Sequence, residues 1–196
     1  SSIDSPPAVE ALGPYHTAIH VHAFSMGKRL KALIEEAGCE FWTYESASNG
    51  YAPAWGRCYA GLFSWNSGVK GNYVWAYTHA DWGERDRYTI EPDGSVTVYI
   101  WGRTKAVPGP LGPIPTINWE ARREGVDDYC YLQMVEDSAS QAEGDPVAVE
   151  AAAWLAALRA RLVHVDPHEV EAGKPLSLAE YDEIRSRAAG YIEQLG

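Results

Sequence analysis

Residues 68–82, GVKGNYVWAYTHADW, form the stretch whose reading decides the fold. Gly68 closes a preceding helical segment. From Asn72 the chain alternates between a small face (Asn72, Val74, Ala76, Thr78, Ala80) and a large one (Tyr73, Trp75, Tyr77, His79, Asp81). That period of two is the signature of a β-strand. The large face turns polar toward its C-terminal end. In α/β proteins with parallel strands, ligands bind beyond the carboxyl ends of those strands, so Trp75 to Trp82 reads as a candidate site wall.

Working upstream, YHTAIHVHAF (15–24) sets His16, Ala18, His20 and His22 on one strand face and Thr17, Ile19, Val21 and Ala23 on the other. Ser25 can cap a helix whose Met26, Leu30, Leu33, Ile34 and Ala37 recur at helical spacing, with Gly38 as its stop. CEFWTYES (39–46) reads as a second strand, and Pro53 to Ser67 as an aromatic-rich helix ended by Gly68. Three strands alternating with helices predict an α/β fold with a parallel sheet, the grammar of a doubly wound sheet or a (β/α)-barrel. Residues 1–14, with their prolines, read as an irregular lead-in.

Downstream, two alternating runs flank Pro92, Asp93 and Gly94 within Tyr88 to Trp101, a hairpin signal. Gly102 to Pro115, rich in proline and glycine, reads as a non-repetitive strap. A long helix follows from Thr116 to about Ser138. Trp119, Val126, Tyr129, Leu132 and Val135 make its expected buried stripe, and Glu120, Arg123, Glu124 and Asp127 its polar pairs. Asp145 and Pro146 open a helix to about Leu162, and Ser177 with Glu180 forms a capping box opening the last one.

Composition narrows the function. The 196 residues are 46% hydrophobic, enough for a sizeable core. A net charge of -11, from 27 acidic and 16 basic residues, argues against nucleic-acid and anionic-membrane partners, which need clustered Lys and Arg. No apolar run approaches the ~20 residues that span a bilayer, and no signal peptide is visible. Eight Trp and 12 Tyr against three Phe favour rings that carry a polar tip. Such rings suit carbohydrate, whose apolar ring face packs on an aromatic plane while its hydroxyls seek polar partners. Cys39, Cys58 and Cys130 show no metal or disulfide spacing and read as buried thiols. No cofactor is expected.

The substrate-binding candidates are Trp42, Tyr44, Trp75, Tyr77, His79, Asp81, Trp82 and Trp101, those nearest the strand ends being the expected sugar platforms. Glu45, at the end of the second strand, is the candidate catalytic carboxylate, since many barrel glycosidases set two carboxylates ~5 Å apart across the mouth. His20 and His22 share a strand face and, with His79 and Asp81, offer an alternative as ligands of a metal-dependent barrel hydrolase. Trp55, Trp65, Trp119 and Trp154 sit on helical stripes and are read as packing. Arg57 and Arg123 are expected to tie helices to strand ends.

The order of these pieces resembles a known family. GLFSWNSGVKGNYVWAYTHADW, the strap, PTINWEARREGVDDYCYLQMVED and YDEIRSRAAGYIEQL look like the C-terminal part of the glycoside hydrolase-like barrels grouped as domain of unknown function 4091. That group includes glycoside hydrolase family 123, the retaining N-acetyl-β-galactosaminidases. The segment WEARREGVDDYCYL is the most specific part, and Asn118 is a departure, where the family often has arginine. The resemblance implies a partial (β/α)8 TIM-type barrel, its last three βα units, with a hairpin insertion and C-terminal helices. Residues 15–138 would be the barrel portion and 139–196 a helical extension of the same domain. The family's catalytic Asp-Glu pair lies on an earlier strand, so the missing N-terminal part of the same barrel becomes an expected partner and the isolated chain is expected to lack turnover. Asp127 and Asp128 match the family's helix pattern and do not take that role. The implied function is hydrolysis of an amino-sugar glycoside or related glycan, this part supplying walls; a non-catalytic carbohydrate-binding or scaffold barrel is the competing reading. The same resemblance is compatible with a secreted or periplasmic protein. The open sheet edges of a truncated barrel predict association of the isolated chain.

Overall fold

The computed structural model describes residues 3, 5–22, 28–45, 53–74, 88–90, 96–98, 106–109, 111–162 and 176–196. The chain is mixed α/β and mostly helical, and it divides into two compact units. One comprises Ser1–Pro53 and Gly68–Glu120, the other Ala54–Ser67 and Ala121–Gly196.

The first unit begins with a helix. Within the expected irregular lead-in, Pro6–Leu12 is a helix, α1, followed by a 3-10 turn at Gly13–Tyr15. Proline breaks a helix only where an N–H or the preceding turn is needed; here it occupies the first turn, which needs neither. Ile3 and Val9 are buried, and the Ile3 amide donates to the His20 carbonyl at 3.2 Å.

Three strands follow: β1 (Ala18–His22), β2 (Glu40–Glu45) and β3 (Gly71–Val74), with helix α2 (Lys28–Glu36) between the first two. They form one parallel sheet in the order β1-β2-β3. Ile19, Val21 and Phe41 point to one face and share a core with Leu30 and Ile34 of α2 and with Val9. Gly38 and Gly68, both at positive φ, end their helices as the sequence predicts. The Cys39 thiol donates to the His16 carbonyl at 3.0 Å.

Two hairpins complete the unit. β4 (Tyr88–Ile90) pairs antiparallel with β5 (Val96–Val98), as expected from the turn signal. The strap is regular rather than irregular: β6 (Ala106–Gly109) pairs antiparallel with β7 (Gly112–Pro115). Three of its prolines, Pro108, Pro113 and Pro115, fall in the pairs Ala106–Pro115 and Pro108–Pro113. Those are alternate pairs, where an antiparallel ladder directs N–H groups away from the partner strand, so no ladder bond is lost.

The second unit is helical. It contains α3 (Pro53–Cys58) from Ala54 onward, a π-helical turn at Tyr59–Phe63, α4 (Ser64–Ser67), α5 (Ile117–Gln141) from Ala121 onward, α6 (Pro146–Leu162) and α7 (Leu178–Leu195). The Ser64 hydroxyl donates to the Tyr59 carbonyl at 2.7 Å across the wide turn. Ser177 and Glu180 form the expected capping box, and Asp145 accepts from the Val147 amide at 2.7 Å. Leu62, Trp65, Leu132, Leu155, Tyr181 and Ile184 lie in one core.

The buried stripe of α5 differs from the expected one in its first half. Trp119 and Val126 are 37% and 50% exposed, while Gly125 and Asp128 are buried beside Leu132 and Val135. Apolarity alone favours Val126; a helix crossing that admits no side chain requires Gly125. Trp55 and Trp65 are buried as packing residues. Cys39 and Cys58 are buried as expected, but Cys130 is exposed, on the opposite side of the helix from that core.

Candidate functional site

The chemistry-bearing face of the first unit follows from strand alternation. With Ile19, Val21, Phe41 and Thr43 buried on one side of the sheet, His20, His22, Trp42, Tyr44 and Tyr73 take the other. Register aligns them in two rows: His20 opposite Trp42 opposite Gly71, and His22 opposite Tyr44 opposite Tyr73.

The rings converge. Tyr44 and Tyr73 stack at 5.8 Å with 17° between their planes. The His20 ring stands edge-on to Tyr73 at 5.4 Å and to Tyr44 at 6.2 Å, and His22 meets Tyr44 edge-on at 5.0 Å. Burial, then the neighbouring Tyr44 hydroxyl, holds the Tyr73 phenol above its ordinary pKa, so Tyr73 is a neutral hydrogen-bonding group at neutral pH. Trp42 lies across Gly71: any Cβ there would clash with the indole ring. Its Nε1 donates to Glu40 at 2.9 Å, which fixes the plane of the indole.

Of the substrate-binding candidates, Trp42 and Tyr44 lie on this face. Glu45 is the last residue of β2, opposite Val74. Trp75, Tyr77, His79, Asp81, Trp82 and Trp101 lie outside the described residues, as does the side chain of Glu45. His20 and His22 share a face as expected, and among the described residues no group of three His, Cys, Asp or Glu assembles around them. Tyr73 and Gly71 join the site without having been singled out for it. The signal for both was the alternation of the opening stretch, once its register against β2 is known.

A second polar constellation lies in the helical unit. Asp128 receives Arg57 through two bonds, Nε to Oδ2 at 2.7 Å and Nη2 to Oδ1 at 3.1 Å. Arg185 reaches Asp128 Oδ1 at 2.7 Å and Glu124 Oε2 at 2.8 Å. The Arg57 guanidinium also sits 4.1 Å over the Tyr181 ring. Bonding to Arg185 holds the Glu124 carboxyl below its ordinary pKa. The Cys58 thiol, beside Tyr181, is pushed up to about 12, mainly by burial. Among the described residues, the ion pairs of Arg57 and Arg123 are with carboxylates on helices. Arg57 joins helix to helix, and Arg123 pairs along its own helix with Asp127 at 3.2 Å. The paired aspartates thus have unlike tasks: Asp128 is buried in the ion network and Asp127 is half-exposed. Asn118 is buried at the start of α5, and its side-chain oxygen has no partner among the described residues.

Comparison with known proteins finds no matching family model and no matching curated sequence. No described helix is long and apolar enough to cross a membrane.

Proposed function

We propose that this chain is the C-terminal portion of a glycoside hydrolase-like (β/α)8 barrel, whose three-stranded sheet supplies a carbohydrate-binding wall. The observation that carries the reading is the cluster His20, His22, Trp42, Tyr44 and Tyr73 on one face of the parallel sheet. Stacked phenols and an indole provide apolar planes for sugar rings, and their hydroxyls with two imidazoles provide hydrogen-bonding tips. In this reading β1, β2 and β3 are consecutive barrel strands, the aromatic face is turned to the barrel interior, and an earlier part of the protein supplies the acid chemistry. Glu45, ending β2, would stand at the rim as the candidate nucleophile.

The test is calorimetric titration of the chain with N-acetylated amino-sugar oligosaccharides, alongside Tyr44→Ala and Tyr73→Ala variants. Each variant is expected to weaken binding about tenfold, the equivalent of ~1.4 kcal/mol. Full-strength binding by both variants would remove the aromatic wall from the mechanism. Binding by a full-length parent that lacks turnover would favour the non-catalytic carbohydrate-binding barrel. Stoichiometric zinc in the purified protein would favour the metal-dependent hydrolase built on His20 and His22.

A further inference from the structure

We propose that the groove between α5 and α7 receives an amphipathic helix from a partner protein, apolar along one face and rich in Lys or Arg along its flanks. The inference is independent of the sheet face, since every residue it uses belongs to the helical unit.

The groove encloses about 590 Å³ and is built from two helix faces. Asp127, Cys130, Tyr131 and Met134 supply one wall at the i, i+3, i+4, i+7 spacing of a single helical face, and Arg185, Ala189, Ile192 and Glu193 supply the other. Between the charged ends the lining is apolar and adaptable. Met134 is 50% exposed there, and Ala189 across the groove keeps the opposite wall low. One wall carrying tyrosine and methionine, facing a low wall of Ala189 and Ile192, is what an incoming row of Leu or Ile side chains fits, the helix-in-groove mode of recognition.

Charge selects the partner's flanks. The groove's own cation, Arg185, is held by Glu124 and Asp128, and Arg123 beside it is held by Glu124 and Asp127. Seven-residue spacing brings Asp182 into line with Ala189, and Asp137 into line with Cys130; both are exposed. Glu193 adds a carboxylate at the rim. Among the described residues the rim therefore carries negative charge with no basic partner at Asp182, Asp137 and Glu193, on both walls, within a chain of net charge -11. A second copy of this chain would bring the same acidic rim against itself, whereas a basic helix meets it with opposite charge.

Cys130 makes the site directly readable, because Cys39 and Cys58 are buried. The probe is a synthetic peptide of about 18 residues, some 27 Å as a helix, with Leu at i, i+3, i+4 and i+7 and Lys on both flanks. A peptide of the same composition, scrambled to abolish the stripe, is the control. The striped peptide is expected to slow reaction of Cys130 with a disulfide reagent severalfold in the full chain. Raising ionic strength from about 0.05 to 0.5 M should weaken that protection, because the Debye length shortens. Met134→Lys should abolish it while leaving the thermal midpoint of the protein unchanged. Equal protection by the scrambled peptide, or none by the striped one, would overturn the proposal. So would light scattering that finds a dimer whose Cys130 is already protected without peptide, since the occupant would then be a second copy.

Discussion

Gly61 and Gly125 meet backbone to backbone: a Cβ on Gly61 would lie 2.6 Å from the Gly125 carbonyl oxygen, and one on Gly125 would press into the Arg57 carbonyl. The π-helical turn and α5 therefore cross without intervening side chains. That closeness brings Arg57 within bidentate reach of Asp128, three residues after Gly125. Steric and ionic complementarity at this crossing are one feature.

Gly125→Ala should accordingly cost about 3 kcal/mol, the upper part of the overpacking range, because the obstacle is backbone and cannot rotate aside. Urea unfolding measures it. An exposed glycine in a helix would show the opposite sign, since Ala is the better helix former; a stabilised variant would mean that the helices do not approach as closely as described.

Asp128→Asn leaves the Arg57 guanidinium, 8% exposed as a residue, without its counter-charge. Loss of one partner of a buried pair costs about 3–5 kcal/mol. Arg123→Ala removes two ion pairs, to Glu124 and Asp127, from the exposed face of the same helix and should cost less than about 1 kcal/mol. Chemical denaturation of both variants checks the contrast.

Glu124 has a folded pKa below the ordinary 4.5, through its bond to Arg185. A depressed carboxyl contributes stability that is complete above its unfolded value and is lost as pH falls through the folded value. As pH is lowered from about 4.5, the thermal midpoint of the native chain should thus fall more steeply than that of Glu124→Gln. Parallel acid limbs in the two scans would refute the coupling.

The three thiols should separate by reactivity. Cys130 is exposed, whereas Cys39 is buried and Cys58 is both buried and pushed up to about 12, so of the three only the Cys130 sulfur is open to a reagent. Titration with a disulfide reagent near pH 8 should find one rapidly reacting thiol in the native chain and all three in denaturant. Rapid native reaction of a second thiol would place Cys58 or Cys39 nearer solvent.

Gly71→Ala should displace the Trp42 indole from its seat and loosen the Tyr44–Tyr73 face beside it. A red-shifted tryptophan emission with weaker sugar binding is the expected pair of results. Unchanged emission would show that Trp42 does not depend on the missing side chain.

Much of this was legible in the residues themselves. Alternation in AIHVH and EFWTYE set which side chains share a sheet face, since a strand's side-chain period is fixed by its backbone. The capping box at Ser177 and the stops at Gly38 and Gly68 are local chemistry, carried by a few neighbouring residues. What pattern reasoning missed depended on non-local partners. The prolines of residues 1–14 and of the strap looked like breakers, because the helix position and strand pairing that make them harmless are not local properties. Val126 outranked Gly125 on apolarity, because no sequence pattern records that another backbone passes at contact distance.

The sequence by itself therefore determined the alternating α/β order, the helix ends and the aromatic character of the sheet face, all of which follow from backbone periodicity and short-range hydrogen bonding. Only the tertiary structure decided that Tyr73 stacks on Tyr44, that Trp42 rests on Gly71, and that Asp128 rather than Asp127 is the buried carboxylate. Those depend on register and on the crossing of Gly61 with Gly125, where distance between residues far apart in the chain is the governing quantity.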